Sequence, residues 1–415
     1  MQNARVSTPN RIVIVGGGSG GISVAASLLA RQRSLEITII EPTDVHYYQP
    51  GWTMVGGGIF SIADTRRPME SMIPKGVKWV KDTVVSFDPA NNSVLLGSGS
   101  KVPYDRLIVS PGLKLNWDGV EGLRDALGKN GVTSNYRHDL APYTWRLVRE
   151  MKSGHAVFTQ PGMPIKCAGA PQKAMYLSAD HWRRKGRLKD VSIDFCNAGG
   201  VLFGVADYVP ALMEYVSRYG SNLRFGETLI RVDGPAKTAW FQKSGADGSK
   251  TVVETKFDFL HVVPPQLAPE FIRESPLADQ AGWMDVDQQT LRHKKFSNIY
   301  GLGDVTNTPN AKTVAAARKQ GPVVAYNVLS DMGIGRGSAI YDGYGACPLT
   351  VERGKIVLAE FCYGGKLAPT FPPSLLKGTR PTRTAWWLKA HVLPTVYWKG
   401  MLKGHEWLAK PSIQP

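Results

Sequence analysis

Closely spaced glycines near the start of the chain form a candidate phosphate-binding turn, Gly16-Gly17-Gly18-Ser19-Gly20-Gly21. The apolar residues 11–15 before the turn predict a buried strand, and the residues 22–33 after it predict a helix. Gly16 permits a tight turn, Gly18 lets the backbone approach a pyrophosphate, and Gly21 allows the helix to pack closely on the strand. Ser19 and Gly20 lie at the helix N-terminus, whose free N–H groups and positive dipole end favour phosphate. The spacing therefore predicts a bound dinucleotide.

A carboxylate at the end of the next predicted strand supports the same interpretation. The strand covers residues 36–40 and ends at Glu41, 20 residues beyond Gly21. A carboxylate in this place accepts hydrogen bonds from the ribose hydroxyls of the adenosine and repels a 2′-phosphate. This strand–helix–strand unit does not by itself distinguish FAD from NAD.

A second glycine motif, Gly301-Leu302-Gly303-Asp304, follows another predicted strand late in the chain. It resembles the second FAD motif of the disulfide-reductase superfamily. The resemblance implies that Asp304 holds the ribityl-phosphate region of the cofactor. It also implies that a helix beginning near Lys312 and Val314 directs its N-terminus at the flavin, where its dipole stabilises negative charge. The two motifs in this order indicate FAD.

A second strand–helix–strand unit is predicted at residues 156–160, 172–185 and 191–195. Its connecting turn, residues 161–171, carries prolines and Cys167 where a phosphate-binding turn needs glycines, so no binding site for a pyridine nucleotide is expected there. Lys166, Lys173 and the N-terminus of the helix would favour the thiolate of Cys167. The alternative is that Cys167 is a small buried apolar residue, as most cysteines are.

Long motifs around two cysteines extend the comparison to a family. They are Pro164-Ile165-Lys166-Cys167-Ala168-Gly169-Ala170-Pro171-Gln172-Lys173 and Tyr341-Asp342-Gly343-Tyr344-Gly345-Ala346-Cys347-Pro348-Leu349. With His46-Tyr47-Tyr48-Gln49-Pro50 and Asp285-Val286-Asp287, they closely resemble sulfide:quinone oxidoreductases, particularly the mitochondrial type and its bacterial relatives. The resemblance runs in order from about residue 11 to residue 408.

The resemblance implies a reaction at a cysteine pair. Cys167 and Cys347 would flank the flavin as a redox disulfide, and hydrogen sulfide would attack the sulfur of Cys347, leaving a persulfide there and a thiolate at Cys167. The sulfane sulfur would leave to a small acceptor, for which sulfite, glutathione, coenzyme A and cyanide all stay open. The electrons would pass through FAD to ubiquinone. A disulfide with a stabilised leaving thiolate is a suitable target for such a small nucleophile.

Other residues match the family at single positions. The resemblance implies that Gln49 and Val84 contact FAD, and Phe361 and Tyr397 are candidates for the quinone pocket. Ordinary packing is the alternative for Gln49, Val84 and Val314. The cysteine that binds flavin covalently in some bacterial relatives has no counterpart in the N-terminal half, so non-covalent FAD is expected. Cys196 and Cys362 do not match the pattern and are interpreted as packing residues. No metal site is predicted.

The bulk composition points to a surface of opposite charge. The chain has 415 residues, a net charge of +16 and a pI near 9.6. The basic residues are dispersed and no groove-reading motif is present, so nucleic acid is not expected as a partner. The sequence contains no run of 18 apolar residues, so a membrane-spanning helix is not expected. An anionic membrane surface fits better, although charge that serves solubility alone is the alternative.

The C-terminal tail is the candidate membrane contact. Residues 384–403 combine aromatic, aliphatic and lysine side chains, and Pro394 is expected to split them into two short amphipathic helices. Such a segment is typical of a peripheral, monotopic anchor, here expected on a bacterial or mitochondrial inner membrane. The side chains expected to face the lipid are Trp386, Trp387, Leu388, Leu393, Val396, Tyr397, Trp398, Met401 and Leu402, with Lys389, Lys399, Lys403 and Lys410 supplying charge. A helix pair that closes the core is the alternative.

These observations predict an α/β fold with two Rossmann-like domains, of which the FAD domain is discontinuous, and a C-terminal amphipathic helical segment. The FAD domain is expected at residues 1–115 and 286–345, the second domain at 116–285, and the cysteine and membrane region at 346–415. The functional alternatives are a type-II NADH:quinone oxidoreductase and a flavin-stabilised scaffold that binds lipid or nucleic acid without catalysis.

Overall fold

The computed structural model describes residues 11–245 and 247–415. The first glycine turn follows a strand of a five-stranded parallel sheet, and one strand of this sheet comes from residues 299–301, far along the chain. Its strands, in spatial order, are Ile299–Gly301, Arg106–Val109, Arg11–Val15, Glu36–Ile40 and Lys78–Val80. The helices Ser19–Arg31 and Val314–Asp331 pack against each other in this domain. The dinucleotide domain is therefore discontinuous in sequence, as predicted.

A second five-stranded sheet forms from the middle of the chain. Its strands, in spatial order, are Val132–Thr133, Phe259–His261, Gly154–Gln160, Val191–Asn197 and Asn222–Phe225. The helices Ala141–Glu150, Ala170–Arg184 and Val209–Tyr219 accompany it. Two buried apolar clusters surround this sheet, because parallel strands bury both faces. The domain boundaries at residues 115, 285 and 345 stay a prediction.

Smaller antiparallel elements complete the chain. Three-stranded sheets form from Val84–Asp88, Ser93–Leu96 and Lys101–Pro103, and from Glu227–Asp233, Thr238–Ser244 and Lys250–Lys256. The short pairs are Val45–Tyr47 with Arg66–Pro68, Lys114–Leu115 with Gln266–Leu267, and Ser338–Ile340 with Ser412–Gln414. The remaining short α-helices are Trp52–Gly56, Met69–Met72, Leu123–Ala126 and Glu270–Arg273.

An antiparallel hairpin carries the second motif cysteine and is called here the cysteine hairpin. It consists of the strands Gly345–Glu352 and Lys355–Phe361. The first of these strands packs against the helix Ala170–Arg184 of the second domain. The hairpin thereby brings Cys347 to the start of that helix, although Cys347 lies late in the sequence.

The tail is helical throughout residues 383–403, so the expected break at Pro394 is wrong. Short α-helical turns at Arg383–Trp387 and Leu393–Thr395 alternate with π-helical turns at Leu388–Val392 and Val396–Gly400, and a 3₁₀ turn ends the helix. Proline disrupts an α-helix because it lacks an N–H and its ring clashes with the preceding turn. The π turn before Pro394 widens the helix at that point, and the N–H of Leu393 donates to the carbonyl of Leu388. We call residues 383–403 the tail helix.

The tail helix packs on the first domain and closes its core. Tyr397, Met401 and Leu402 are buried in the same apolar cluster as the first sheet, so the expectation that they face lipid is wrong. Lys389 is also buried, with 4% of its surface exposed. The exposed residues of the tail helix include Trp387 and Lys399. No helix in the described part of the chain is long and apolar enough to cross a membrane.

Candidate active site

The first glycine turn has the shape that the sequence predicts. The helix begins at Ser19, and no side chain caps its N-terminus. A Cβ added to Gly21 would lie 1.9 Å from the carbonyl oxygen of Gly16, so the close approach of helix and turn requires glycine. A Cβ added to Gly18 would meet none of the described atoms within 4 Å. The turn therefore leaves open space beside uncapped N–H groups, which is the environment that a pyrophosphate needs.

Glu41 lies against this turn at the end of its strand. Its Oε2 accepts a hydrogen bond from the N–H of Gly17 at 2.7 Å. Its Oε1 accepts from the N–H of Thr43 at 2.9 Å and from the hydroxyl of Thr43 at 2.6 Å. These donors hold the carboxylate at the turn, where the ribose of a bound adenosine is expected.

A hydrogen-bonded chain joins the tail helix to the same turn. Nδ1 of His46 lies 3.1 Å from the carbonyl oxygen of Gly17, and Nε2 lies 2.5 Å from the hydroxyl of Tyr397. The Tyr397 hydroxyl is also 2.7 Å from the hydroxyl of Ser19. Burial lowers the pKa of His46 to about 4, so the ring is neutral. Because a carbonyl only accepts, Nδ1 donates to Gly17, Nε2 accepts from Tyr397, and Ser19 donates to the Tyr397 oxygen.

The second glycine motif lies between the two domains. Gly303 and Asp304 form a short 3₁₀ turn after their strand, and the N–H of Gly303 donates to Oε1 of Gln320 at 2.7 Å. The ammonium of Lys312 donates to the carbonyls of Asp304 at 2.8 Å and Thr306 at 2.6 Å. Burial lowers the pKa of Lys312 to about 8. Burial raises the pKa of the Asp304 carboxyl, and the charges of Lys166 and Lys312 oppose that rise.

A cavity of about 290 Å³ lies between this motif, the tail helix and Cys167, which precedes the helix Ala170–Arg184. Asp304, Lys312 and Val314 line it, and Val314 begins the helix whose N-terminus is thus directed at the cavity. Both polar atoms of the buried Asn135 amide lie at the cavity without a partner among the described residues, as does Nε1 of Trp52. Unpaired buried donors and acceptors require a ligand or water. With the open glycine turn and Glu41, they fit FAD.

The two motif cysteines meet beside this cavity. Their sulfurs are 3.4 Å apart, and both thiols are free. A disulfide needs a separation of about 2.05 Å, so the sulfurs must approach each other further to form one. Cys167 has a left-handed backbone, with φ at 50°, and its N–H donates to the carbonyl of Lys312 at 2.8 Å. A Cβ added to Gly169 would lie 2.5 Å from the sulfur of Cys347, so the contact depends on that glycine.

The electrostatics of the pair make Cys167 the thiolate. The hydrogen bond from Cys347 and the ammonium of Lys173 lower the pKa of Cys167 well below its usual range, although burial opposes them. Nζ of Lys173 is 3.2 Å from the sulfur of Cys167 and 3.8 Å from that of Cys347. The same contact with Cys167, together with burial, raises the pKa of Cys347. The pair is therefore arranged as a thiolate at Cys167 and a thiol at Cys347.

Lys389 is the residue of this site that sequence reasoning missed. Its ammonium donates to the carbonyl of Pro50 at 3.1 Å, and its charge also lowers the pKa of Cys167. Burial, followed by repulsion from Lys173, lowers the pKa of Lys389 to about 7. The structure places Lys389 one helical turn from the buried Ala385, on the packed face of the tail helix, and the sequence alone carries no signal that separates this lysine from the exposed ones. Its expected place on the membrane surface is wrong.

Other predicted residues fall in several places. Lys166 donates to the side chain of Gln49, and both residues line the cavity. The lysine in contact with the sulfur of Cys167 is Lys173, not Lys166. Val84 begins its strand and packs in the first core, where its role in binding FAD stays a prediction. Tyr397 lines the cavity. Phe361 does not, because its ring packs on Phe203 at 6.0 Å between centroids; its assignment to the quinone pocket lacks support.

The remaining two cysteines differ in burial. Cys196 is fully buried, and burial raises its pKa. Cys362 is half-buried, and burial followed by Asp342 raises its pKa to about 12. Neither thiol is suited to nucleophilic chemistry at neutral pH.

Known proteins are similar to this chain in sequence and in fold. A model of the family described as pyridine nucleotide-disulphide oxidoreductase matches residues 10–153. The chain is 42% identical to the mitochondrial sulfide:quinone oxidoreductase of Dictyostelium discoideum, an alignment that covers 99% of this chain and 90% of that protein. It is 36% identical to the mitochondrial sulfide:quinone oxidoreductase of Mus musculus, over 95% of this chain and 86% of that protein. The solved sulfide:quinone oxidoreductase of Aquifex aeolicus has the same fold, with a TM-score of 0.77, 19% identity and coverage of 96% of this chain and 92% of that one.

A discontinuous dinucleotide domain, a second α/β domain without the glycine turn, and a cysteine pair between them define a flavoprotein of the disulfide-oxidoreductase class. FAD is the cofactor of this class, and the residues at the turn and the cavity fit it. Within that class, identity over nearly its whole length shows that the chain belongs to the sulfide:quinone oxidoreductase family.

Proposed function

We propose that this protein oxidises hydrogen sulfide at Cys167 and Cys347 and passes the electrons to a quinone. The observation that carries the proposal is the 3.4 Å contact between the two sulfurs beside the cavity, with Lys173 in contact with both. The names of the relatives, as sulfide:quinone oxidoreductases, support both substrates.

The reaction begins from the disulfide between the two cysteines. Hydrosulfide attacks the sulfur of Cys347, the disulfide breaks, and Cys167 leaves as a thiolate while Cys347 becomes a persulfide. Cys167 is the better leaving group because Cys347 and Lys173 lower its pKa. A small nucleophile then takes the outer sulfur from Cys347, and the two cysteines re-form the disulfide with loss of two electrons. Bound FAD supplies the two-electron carrier between the cysteines and the quinone.

The positive charge near the pair serves the first step as well as the leaving group. Lys173 and Lys389 are both buried, and each lies close enough to lower the pKa of Cys167. Cationic side chains at the end of a cavity raise the local concentration of a small anion such as hydrosulfide. The identity of the sulfur acceptor, among sulfite, glutathione, coenzyme A and cyanide, is not separated by these contacts.

The apolar side of the cavity is the proposed quinone site. Leu388, Val392, Leu393 and Val396 of the tail helix line it together with Phe371. A ligand pocket for an apolar ring needs this kind of wall, with polar groups confined to a few positions. Ubiquinone is the proposed acceptor. The tail helix, which lines this side of the cavity, also carries part of the surface that we assign to the membrane.

The proposed membrane surface consists of the exposed apolar residues Trp387, Trp407 and Leu408, which are 59%, 52% and 64% exposed. The exposed basic residues Arg383, Lys399, Lys403 and Lys410 lie on the same C-terminal segment. Aromatic residues with lysine and arginine favour the interface of an anionic membrane. This proposal places the protein at the surface of an energy-transducing membrane, where a lipid-soluble quinone is found.

Anaerobic titration of the purified flavoprotein with sulfide tests the chemistry. We expect sulfide to bleach the flavin absorbance of the parent protein, and Cys167→Ser and Cys347→Ser to abolish that bleaching. Cys362→Ser is the matched control, because Cys362 is a half-buried thiol away from the pair. Equal bleaching in all four proteins would exclude the cysteine mechanism. Rapid bleaching by NADH, with none by sulfide, would favour a type-II NADH:quinone oxidoreductase instead.

Sedimentation with lipid vesicles tests the membrane surface. The parent protein should sediment with vesicles that contain anionic lipid, and Trp387→Ser combined with Leu408→Ser should reduce the bound fraction. Val252→Ser is the control, because Val252 is similarly exposed on a strand of the second domain. Equal binding by the double variant and the control would show that this surface is not the contact.

A further inference from the structure

The two faces of the cysteine hairpin have different environments. Across the hairpin, Ala346 pairs with Glu360 and Cys347 pairs with Ala359. Successive side chains of a strand point to opposite faces. Cys347 and Ala359 accordingly pack toward the second domain. Ala346 and Glu360 line the cavity that also contacts the tail helix.

Glu360 is a buried carboxylate on that second face, with 4% of its surface exposed. Its Oε1 accepts hydrogen bonds from the hydroxyl of Tyr344 at 2.6 Å and from the hydroxyl of Thr370. Its Oε2 accepts from the N–H of Thr370 at 3.2 Å. Of the ion pairs formed by residues 11–245 and 247–415, none includes Glu360. The carboxyl group is therefore held by neutral donors at the cavity wall, which the apolar residues Leu388, Val392 and Leu393 of the tail helix also line.

The two residues whose hydroxyls hold Glu360 also border a second open space. Tyr344 and Thr370 line the cavity and, in addition, a separate open cleft of about 1130 Å³. Lys319, Asp342 and His405 are among the polar residues of that cleft, and Trp407 and Leu408 of the proposed membrane surface line it as well. In the proposed arrangement the cleft therefore opens at the hydrated headgroup layer of the membrane. The Tyr344 and Thr370 hydroxyls are 3.1 Å apart. A continuous set of hydrogen bonds therefore leads from residues of the open cleft, through the hydroxyls of Tyr344 and Thr370, to Oε1 of Glu360 at the cavity.

We infer that Glu360 delivers protons to the quinone and is reprotonated from the cleft through Tyr344 and Thr370. This inference rests on the proposed function. Reduction of a quinone to a quinol takes two electrons and two protons. Oxidation of hydrosulfide to sulfane sulfur releases two electrons and only one proton, so each turnover draws one further proton from solution. The apolar side of the cavity, against the tail helix, holds little water next to a quinone ring, whereas a buried carboxyl group with a path to solvent can supply protons there.

The chemistry of the path suits proton transfer in steps. A carboxyl group at Glu360 gives its proton to a quinone oxygen, and the carboxylate then takes a proton from a hydroxyl that donates to it. That hydroxyl regains a proton from the water of the cleft, so no net charge stays on the path. Burial, followed by the nearby Glu360, raises the pKa of Tyr344, which keeps this hydroxyl protonated between transfers.

Glu360→Gln in the holoenzyme is the central test. Glutamine retains the size of the side chain and one oxygen that accepts from Tyr344 and Thr370, but it cannot deliver a proton. In stopped-flow measurements we expect reoxidation of the sulfide-reduced enzyme by a short-chain ubiquinone to slow by roughly 10²-fold. Reoxidation by ferricyanide, which takes electrons without protons, should keep its rate. In steady state kcat should fall and KM for the quinone should change little.

Two further variants separate proton transfer from folding. Glu360→Asp retains a carboxyl group and should recover part of the quinone rate, and Tyr344→Phe should slow quinone reoxidation while ferricyanide reoxidation persists. Glu352→Gln is the matched control, because Glu352 lies on the same hairpin and lines neither the cavity nor the cleft. It should match the parent in every rate.

The inference is overturned if Glu360→Gln reduces quinone at the parental rate, or if its reoxidation by ferricyanide slows equally. Failure of the parent protein to reduce any quinone after sulfide would instead contradict the proposed function. The two failures are distinguishable, because the first concerns a difference between variants and the second concerns the parent alone.

Discussion

The hydroxyl of Tyr397, from the tail helix, lies 2.7 Å from the hydroxyl of Ser19, at the start of the first helix. His46 joins the two by contacting Tyr397 and the carbonyl of Gly17. The last part of the chain therefore holds the first glycine turn in place. Attachment of the tail helix and occupancy of the phosphate site are expected to depend on each other.

Tyr397→Phe should weaken FAD binding without loss of the fold. The change removes two hydrogen bonds and leaves a buried ring nitrogen of His46 without its donor, at a cost of about 1–2 kcal/mol. We expect the dissociation constant of FAD to rise roughly 5–30-fold. Reconstitution of the apoprotein, followed by flavin fluorescence, measures it. Tyr326→Phe is the control, since its hydroxyl donates to the carbonyl of Arg336 outside this chain of contacts. Unchanged affinity would show that the contact does not hold the turn.

Gly169→Ala should disturb the cysteine pair. The added Cβ would lie 2.5 Å from the sulfur of Cys347 and 2.4 Å from Cδ2 of Leu349, so these side chains, or the cysteine hairpin that carries them, must move. Overpacking of this kind costs about 1–3 kcal/mol. We expect a lower thermal midpoint and slower oxidation of the two thiols, followed by counting free thiols with a chromogenic disulfide.

Gly200→Ala provides the control for that substitution, because a Cβ there meets none of the described atoms within 4 Å. Its thiols should oxidise at the parental rate. If Gly169→Ala did the same, the close contact between the helix and the hairpin would not limit the pairing of the sulfurs.

Lys173→Met should raise the pKa of Cys167, because the ammonium that contacts the thiolate is removed. The rate at which iodoacetamide alkylates Cys167, followed by mass spectrometry in the reduced protein, should then rise at a higher pH than in the parent. Lys185→Met is the control, because Lys185 is exposed at the other end of the same helix. A profile that did not move would show that Lys173 does not lower the pKa of Cys167.

Lys389→Met should stabilise the protein against unfolding. It should also make the Cys167 thiol less reactive, because the charge of Lys389 helps to lower the pKa of Cys167. The pKa of Lys389 is about 7 when folded, against 10.5 for the ordinary side chain, so the unfolded chain binds more protons between these values. Lysine therefore destabilises the fold most below pH 7, and this penalty disappears as the pH rises toward 10.5. At about 1.4 kcal/mol per pH unit, the penalty exceeds the roughly 1 kcal/mol of the hydrogen bond to Pro50.

Thermal midpoints measured at pH 6 and pH 10 test this sign. Lys389→Met should melt a few degrees above the parent at pH 6, and the difference should shrink at pH 10. Lys399→Met, an exposed position of the same helix, should melt with the parent at both values. A lower midpoint for Lys389→Met at pH 6 would show that its contacts outweigh the cost of its burial.

Local spacing in the sequence determined the dinucleotide turn, the FAD motif at Gly303 and Asp304, and the cysteine motifs. These features are predictable because they depend on residues close together along the chain, through backbone conformation, helix N-termini and strand periodicity. The discontinuous sheet followed from the order of those motifs. The helix Ala170–Arg184 was placed within two residues at each end for the same reason.

The tertiary structure alone decided which distant side chains meet. The contact between Cys167 and Cys347 joins residues 180 positions apart and depends on the packing of the cysteine hairpin on the second domain. Amphipathic periodicity shows that a helix has a packed face but not which surface that face meets. The sequence therefore predicts a membrane-facing Lys389, whereas the structure buries it near the sulfurs. The helix also continues past Pro394, because π turns beside it relieve a constraint that proline imposes on a regular α-helix.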